Sequence, residues 1–493
     1  MENKKTKIIS ITSIIALALT LVTATYAYFV AQTGEGAQTD IKINANTVDT
    51  FTFEVGSALN LSLNQENFAS GKGNQTGTTF AKAMLTANNK TNTATEHYYL
   101  YLNISNNTFT YSIDNNTPEI LLSIKDGSNN EITSVSGLTY KTVTDGKGAS
   151  IKGFDITKKS GLVTILNNRE ITTTSTKTEQ WNVTVTFVNY NSNQAGNAGK
   201  NFSAKLMIQK EKIPTVLSDV CTSGNNLTTC ITTLSNKSEP SIVNIYYHIS
   251  SLVNGAGDNS YRYAGASDSV NNYICLGSDA TTCPDANLFR IIGVFGDQTK
   301  VIRAKSVGNK QWHTSADNTW SSSSLNTYLN GEYLTSLGTL ADKIATTTWK
   351  VGGGTYANIS DVVPATAYQY EVGSSASTTT YDAKIGLMYV TDYYYSASPS
   401  AWTLVGYNES DATKDYRAAK STNWLYLGST EWTISRRSDI SDNSNLAFGV
   451  VFAGLVYHFN VSNYRGVRPS FNLESSVKYV SGSGSMSDPV RVN

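Results

Sequence analysis

The 493-residue chain is poor in charge, proline, cysteine and histidine. Charged residues make up 15% of it, against roughly 25% in an ordinary soluble domain, and 38 Lys+Arg balance 38 Asp+Glu. This balance argues against an electrostatic nucleic-acid binder, which needs a basic face to displace counterions from phosphates. The four histidines, His97, His248, His313 and His458, are scattered. The cysteine spacing is too long for a zinc knuckle, so neither metal nor cofactor is expected. After residue 34 no apolar run is long enough to span a bilayer. No G-x-S-x-G elbow, paired-carboxylate motif or phosphate-binding loop stands out; Gly352-Gly353-Gly354 lacks the Lys and helix that a phosphate loop requires.

Ser, Thr and Asn take the place of charge, with 164 residues between them. Their short polar side chains compete for backbone hydrogen bonds in helices, and Thr favours strands, so the composition reads as β-rich and extracellular. Lys4, Lys5 and Lys7 precede an uncharged stretch that runs to Gly34, apolar from Ile8 to Ala24. Residues 1–27 therefore read either as a secretory signal cleaved after Ala27 or as an uncleaved N-terminal anchor, the one expected membrane contact. Four cysteines form two close pairs, Cys221/Cys230 and Cys275/Cys283. Three connectivities are open by count, and local loops are expected because each pair flanks a turn-rich stretch.

Aromatic residues divide the chain: six of seven tryptophans lie beyond residue 300 and 21 of 29 tyrosines beyond residue 245. Residues 28–212 carry alternating runs at Tyr98 to Ile104, Ile120 to Lys125, Trp181 to Tyr190 and Phe202 to Gln209. The period of two predicts a β-sandwich stalk. Lys210-Glu211-Lys212-Ile213-Pro214 marks its end, and residues 213–254 read as a linker holding a cysteine loop and a short helix over Ser241 to Val253. Residues 255–493 mix strands with a helix near Ser322 to Leu337, where Leu325, Leu329 and Tyr333 repeat at four-residue spacing. Trp402, Trp424 and Trp432 are expected in the core.

The ending T-Y-A-Y-F at residues 25–29, followed by strands, resembles the TasA and camelysin type of exported bacterial matrix proteins. That likeness implies a surface spacer or fibre-forming module, hence self-association through the N-terminal domain. Further on stand N-Y-I-C-L-G-S-D, C-P-D-A-N-L-F-R-I-I-G-V-F, A-K-I-G-L-M-Y-V-T-D-Y-Y-Y, W-L-Y-L-G-S-T-E-W-T-I-S-R-R and G-V-R-P-S-F-N-L. These resemble exported domains of Gram-positive gut bacteria, similar to the C-type-lectin-like fold of formylglycine-generating enzymes and of retroelement-diversified proteins. The resemblance implies a multidomain, β-rich chain: an N-terminal β-sandwich followed by an α+β C-type-lectin-like domain. Formylglycine generation needs redox-active cysteines late in the domain, and none follows Cys283. The expected function is thus non-enzymatic: surface binding or adhesion to an extracellular protein or glycan, with a structural surface fibre as the alternative.

The candidate binding stretch is Leu446 to Tyr464, which lacks the polar alternation of a one-faced strand pair. Either these are buried central strands or some of the aromatics form an exposed recognition patch. In retroelement-diversified proteins the variable stretch lies at the corresponding place, and adenine-bearing codons vary. On that likeness Asn460, Asn463 and Tyr464 are unchanged sites, while Gly449, Val451, Phe452, Tyr457, His458 and Phe459 are changed ones. Arg436 completes the expected ligand-binding set.

Overall fold

A computed structural model describes residues 49–68, 71–88, 92–439 and 445–493. The expected signal or anchor and the T-Y-A-Y-F ending lie outside the described residues. The chain divides into two units, Met1–Lys212 and Ile213–Asn493.

In the first unit, alternation becomes two antiparallel sheets around one core. One runs in the order Thr50–Val55, Gln75–Thr86, Thr176–Phe187, Ile120–Asp126, Ser150–Asp155, Tyr140–Thr144. The other runs Leu59–Ser62, Asn201–Gln209, Ala94–Asn107, Gly161–Thr173. Trp181, Val183, Val185 and Phe187 of one sheet and Leu100, Leu102 and Ile104 of the other are buried in a single cluster, while Asn182 points to solvent. That is the period-two pattern converted into an inside and an outside. Asp126 shapes the turn that follows it by accepting the N–H groups of Ser128 and Asn130 at 2.9 and 2.8 Å, with Asn129 at φ 69°.

The second unit holds a larger sheet, in which Leu288–Phe295 and Gln298–Arg303 form the central hairpin and Ser470–Leu473 pairs with Gln298–Arg303. The C-terminal strand Val490–Val492 lies parallel to Tyr273–Cys275. A five-stranded sheet follows the order Asn309–Gln311, Tyr464–Gly466, Glu431–Arg436, Leu446–Val450, Val456–Asn460. Six tryptophans sit in this unit at 1% exposure or less, Trp402, Trp424 and Trp432 among them. Those three indole N–H groups donate to the carbonyls of Ala397, Tyr263 and Lys310, which removes the cost of burying a polar atom. Cys221 pairs with Cys230 and Cys275 with Cys283, the local pairing expected from the sequence. Two disulfides point to an oxidising compartment. No helix among the described residues is long and apolar enough to cross a membrane.

Buried charges tie strands of this unit to neighbouring helices and loops. Lys300 Nζ lies 2.6 Å from Asp392, and Arg262 reaches Asp258 at 2.6 Å. Glu371 accepts the N–H groups of Val390 and Thr391, both at 2.8 Å, and the hydroxyl of Ser435. Arg468 pairs with Glu431 at 2.8 Å. Each charge has a counter-charge or hydrogen bonds, the condition for burial at tolerable cost, although Glu431 Oε1 and Arg468 Nε make no hydrogen bond.

Two expectations are corrected. Residues 213–254 are not a linker; they belong to the second unit, which begins at Ile213 rather than at residue 255. The helix expected over Ser241 to Val253 is only Pro240–Val243, because Asn244 takes a left-handed conformation (φ 57°) and Ile245–Tyr247 then pairs with Tyr261–Tyr263. The longer helix of this stretch is Leu227–Lys237, whose Leu227, Cys230, Ile231 and Leu234 recur at helical spacing and are buried.

Candidate functional site

The stretch from Leu446 to Tyr464 divides physically at its turn. Leu446–Val450 lies between two neighbouring strands, and Ala447, Phe448 and Val450 are at most 2% exposed, which explains why alternation is missing there. A tight turn follows: Val451 N–H donates to Leu455 O at 2.8 Å and Gly454 N–H to Val451 O at 2.7 Å. Gly454 has φ +100°, a conformation that favours glycine. The chain returns as Val456–Asn460, an edge strand of the sheet, in the register Gly449↔Tyr457 and Ala447↔Phe459.

Edge position and turn leave aromatics in solvent. Phe452 is 65% exposed and Tyr457 36%, with Leu427 at 43% nearby. Tyr464, 62% exposed, lies on an inner strand next to Arg465, which covers Phe459, and so points to the other face of the sheet. The Tyr426 hydroxyl donates to Phe452 O at 2.5 Å and so ties the loop carrying Leu427 to the turn. Tyr457 meets Tyr356 and Tyr407 edge-on, at centroid distances of 6.1 and 5.5 Å, and stacks on His458 at 4.3 Å. Arg437 donates to His458 Nε2 at 2.9 Å, binds Asp439 at 2.6 Å and lies 5.6 Å from the Tyr356 ring. Burial, reinforced by the Arg437 charge and opposed by Asp439, pushes His458 down to about 4, so its imidazole is neutral at pH 7 and accepts from the guanidinium. Rigid aromatics with cations on one rim suit recognition by apolar and cation–π contact.

The remaining expected residues have other work. Phe459 is half-buried between Arg465, 4.5 Å above its ring, and Trp432, 6.0 Å away. Gly449 is buried; a β-carbon there would stand 2.6 Å from Glu431 O, so the position supplies clearance and offers a ligand no side chain. Arg436 donates from Nε to Gly352 O at 3.0 Å and holds the glycine loop in place of a ligand. Asn460 accepts from both the N–H and the hydroxyl of Ser462, at 3.0 and 2.7 Å, and shapes the following turn. Val451 and Asn463 are half-buried. Gly449 and Arg436 therefore leave the binding set. Tyr356, Tyr407 and Arg465 join the cluster without having been expected; Tyr356 opens the short helix Tyr356–Ile359 and Tyr407 lies in a loop, both remote in sequence and without a local signal.

Among the described residues, no group of three or more His, Cys, Asp or Glu side chains gathers as a metal would require. No protein-family model matches the chain, and no curated protein matches it.

Proposed function

We propose that this is an exported bacterial surface protein in which Ile213–Asn493 is a C-type-lectin-like binding domain carried by a β-sandwich stalk. The observation that carries the reading is the pair of exposed aromatics on the hairpin, Phe452 at its turn and Tyr457 on its outer strand, on an otherwise well-buried sheet. Monomeric domains seldom leave large aromatics clustered in water, because the hydrophobic cost is recovered only on contact with a partner. The absence of any cysteine after Cys283 speaks against the formylglycine-generating alternative within the same likeness. The turn at residues 451–455 is where sequence variation would be tolerated, which supports a diversified surface at Phe452. A copy of the codons for residues 432–470, differing only at adenines and next to a reverse-transcriptase gene, would establish diversification.

Binding is tested by applying the full chain to an array of defined glycans and extracellular-matrix proteins. Wild type should retain at least one arrayed molecule, and Phe452→Ala should lose it while melting unchanged. Retention by Phe452→Ala equal to wild type would refute the site.

One observation favours a second reading for the first unit. Thr50–Val55 is an edge strand whose Phe51 and Phe53 are only half-covered, a surface suited to pairing between copies as a fibre subunit would require. Light scattering that shows no growth with concentration would exclude it.

A further inference from the structure

Away from the hairpin, a cavity of about 370 Å³ opens beside the Cys275–Cys283 loop, with Gly277, Asn287, Arg303, Tyr333, Ser336 and Thr339 in its wall. Two polar atoms of that wall are buried without a hydrogen-bond partner: Arg303 Nε and Tyr333 Oη. Tyr333 is 4% exposed, so its hydroxyl cannot be satisfied by bulk water. No carboxylate among the described residues forms a salt bridge with Arg303; its Nη2 donates to Asp285 O at 3.5 Å, and its guanidinium lies beside the Tyr333 hydroxyl. Unused donor capacity at Arg303 Nε and at the Tyr333 hydroxyl, which neighbours the same guanidinium, is costly for stability alone.

From this cavity a track of rings and cations leads back toward the hairpin. Tyr333 lies 6.3 Å from Tyr328, and Lys310 Nζ sits 3.7 Å above the Tyr328 ring. Lys310 stands directly opposite Arg465 in the strand register, so the two share a sheet face, and Arg465 covers Phe459. Among the described residues neither cation has a salt-bridge partner. Like charges opposed in a sheet are destabilising unless an anion is brought between them.

We propose that the cavity and this track bind an acidic glycan, with a uronic-acid carboxylate held by the Arg303 guanidinium and the Tyr333 hydroxyl. A planar carboxylate takes the Nε edge of arginine through two parallel hydrogen bonds and the phenol through a third. One cation matches one negative charge, which favours a carboxylate over a doubly charged phosphate. Thr339 adds a hydroxyl, while Ser336 and Asn287, which donate to Tyr333 O and Leu276 O, offer acceptor oxygens to sugar hydroxyls; the volume is at the low end of small-molecule sites. Aromatic faces along the track give sugar rings their apolar contact. This names a ligand class for the binding reading and rests on it only for the far end of the track.

The test is calorimetric titration of the full chain with trigalacturonate, with maltotriose as the neutral probe of equal length and inorganic phosphate as the free anion. Trigalacturonate should bind saturably, maltotriose should not, and phosphate should compete weakly. Tyr333→Phe, which removes only the hydroxyl, and Arg303→Gln should each weaken binding about tenfold. Lys310→Gln should weaken trigalacturonate but leave galacturonate monomer unaffected. Absence of trigalacturonate binding, equal maltotriose binding, or unchanged affinity in Tyr333→Phe would overturn the proposal. None of these results depends on Phe452 or Tyr464, so its failure is distinct from failure of the hairpin site.

Discussion

Replacing Gly449 with alanine adds one methyl group at the point where the sheet is tightest. The new β-carbon would lie 2.6 Å from Glu431 O and 3.3 Å from the Phe459 ring, against an optimal carbon separation of about 3.5–4 Å. Neither neighbour can retreat cheaply. The carbonyl belongs to a central strand whose Glu431 side chain is held by buried Arg468 at 2.8 Å, and the Phe459 ring is capped by Arg465. Overpacking costs roughly 1–3 kcal/mol, and a backbone contact places this case at about 2–3 kcal/mol. At about 2–4 °C per kcal/mol for large units, the melting midpoint should fall by about 4–12 °C. Differential scanning calorimetry of the full chain measures this in the transition of the Ile213–Asn493 unit. A variant melting within about 1 °C of wild type would refute the packing argument and restore position 449 as a place where side chains can vary.

Phe459→Ala should lose about 1–3 kcal/mol, less than a fully buried phenylalanine because the ring is half-exposed, whereas Phe452→Ala should stay within about 0.5 kcal/mol. Urea unfolding reads both, and equal losses would contradict the division between supporting and exposed rings. Acidification should weaken the second unit, since burial holds His248 down to about 3 and His458 to about 4, below the free value of 6.5. The unfolded chain takes up these protons first, so the stability is complete above pH 6.5 and declines as pH falls toward 4 and then 3. Urea midpoints at pH 7 and pH 5 should show a smaller difference in His458→Gln than in wild type. That comparison cancels buried Glu371 and Glu431, whose raised carboxyl values act in the opposite sense. An identical difference in both proteins would contradict it.

Much of the fold was legible because its signals are local. The alternation of Trp181 to Phe187 became a strand with one buried face, and Ser323 caps the helix expected near it by accepting from Asn326 N–H at 3.0 Å. The helix at Leu227–Lys237 was equally legible by spacing but hidden by the turn-rich residues before it. Its neighbour at Ser241 was over-read, because Ile245 to Tyr247 fit a strand as well as a helix and a remote partner at Tyr261–Tyr263 decided between them. The site was only half legible. The stretch Leu446 to Tyr464 contains the exposed aromatics, yet Gly449 and Arg436 within the expected set serve packing and loop anchoring.

The sequence alone determined that the chain is β-rich, that its two regions have different cores and that its cysteines fall in two close pairs. Composition, alternation and short spacing act within a few residues and survive without knowledge of neighbours. Only the tertiary structure decided which aromatics face water. Exposure of Phe452 depends on the turn and that of Tyr457 on its strand forming a sheet edge, and the rings around Tyr457 depend on a short helix and a loop bringing Tyr356 and Tyr407 from distant positions. Burial is a property of what packs against a residue, and those partners are chosen by topology rather than by local pattern.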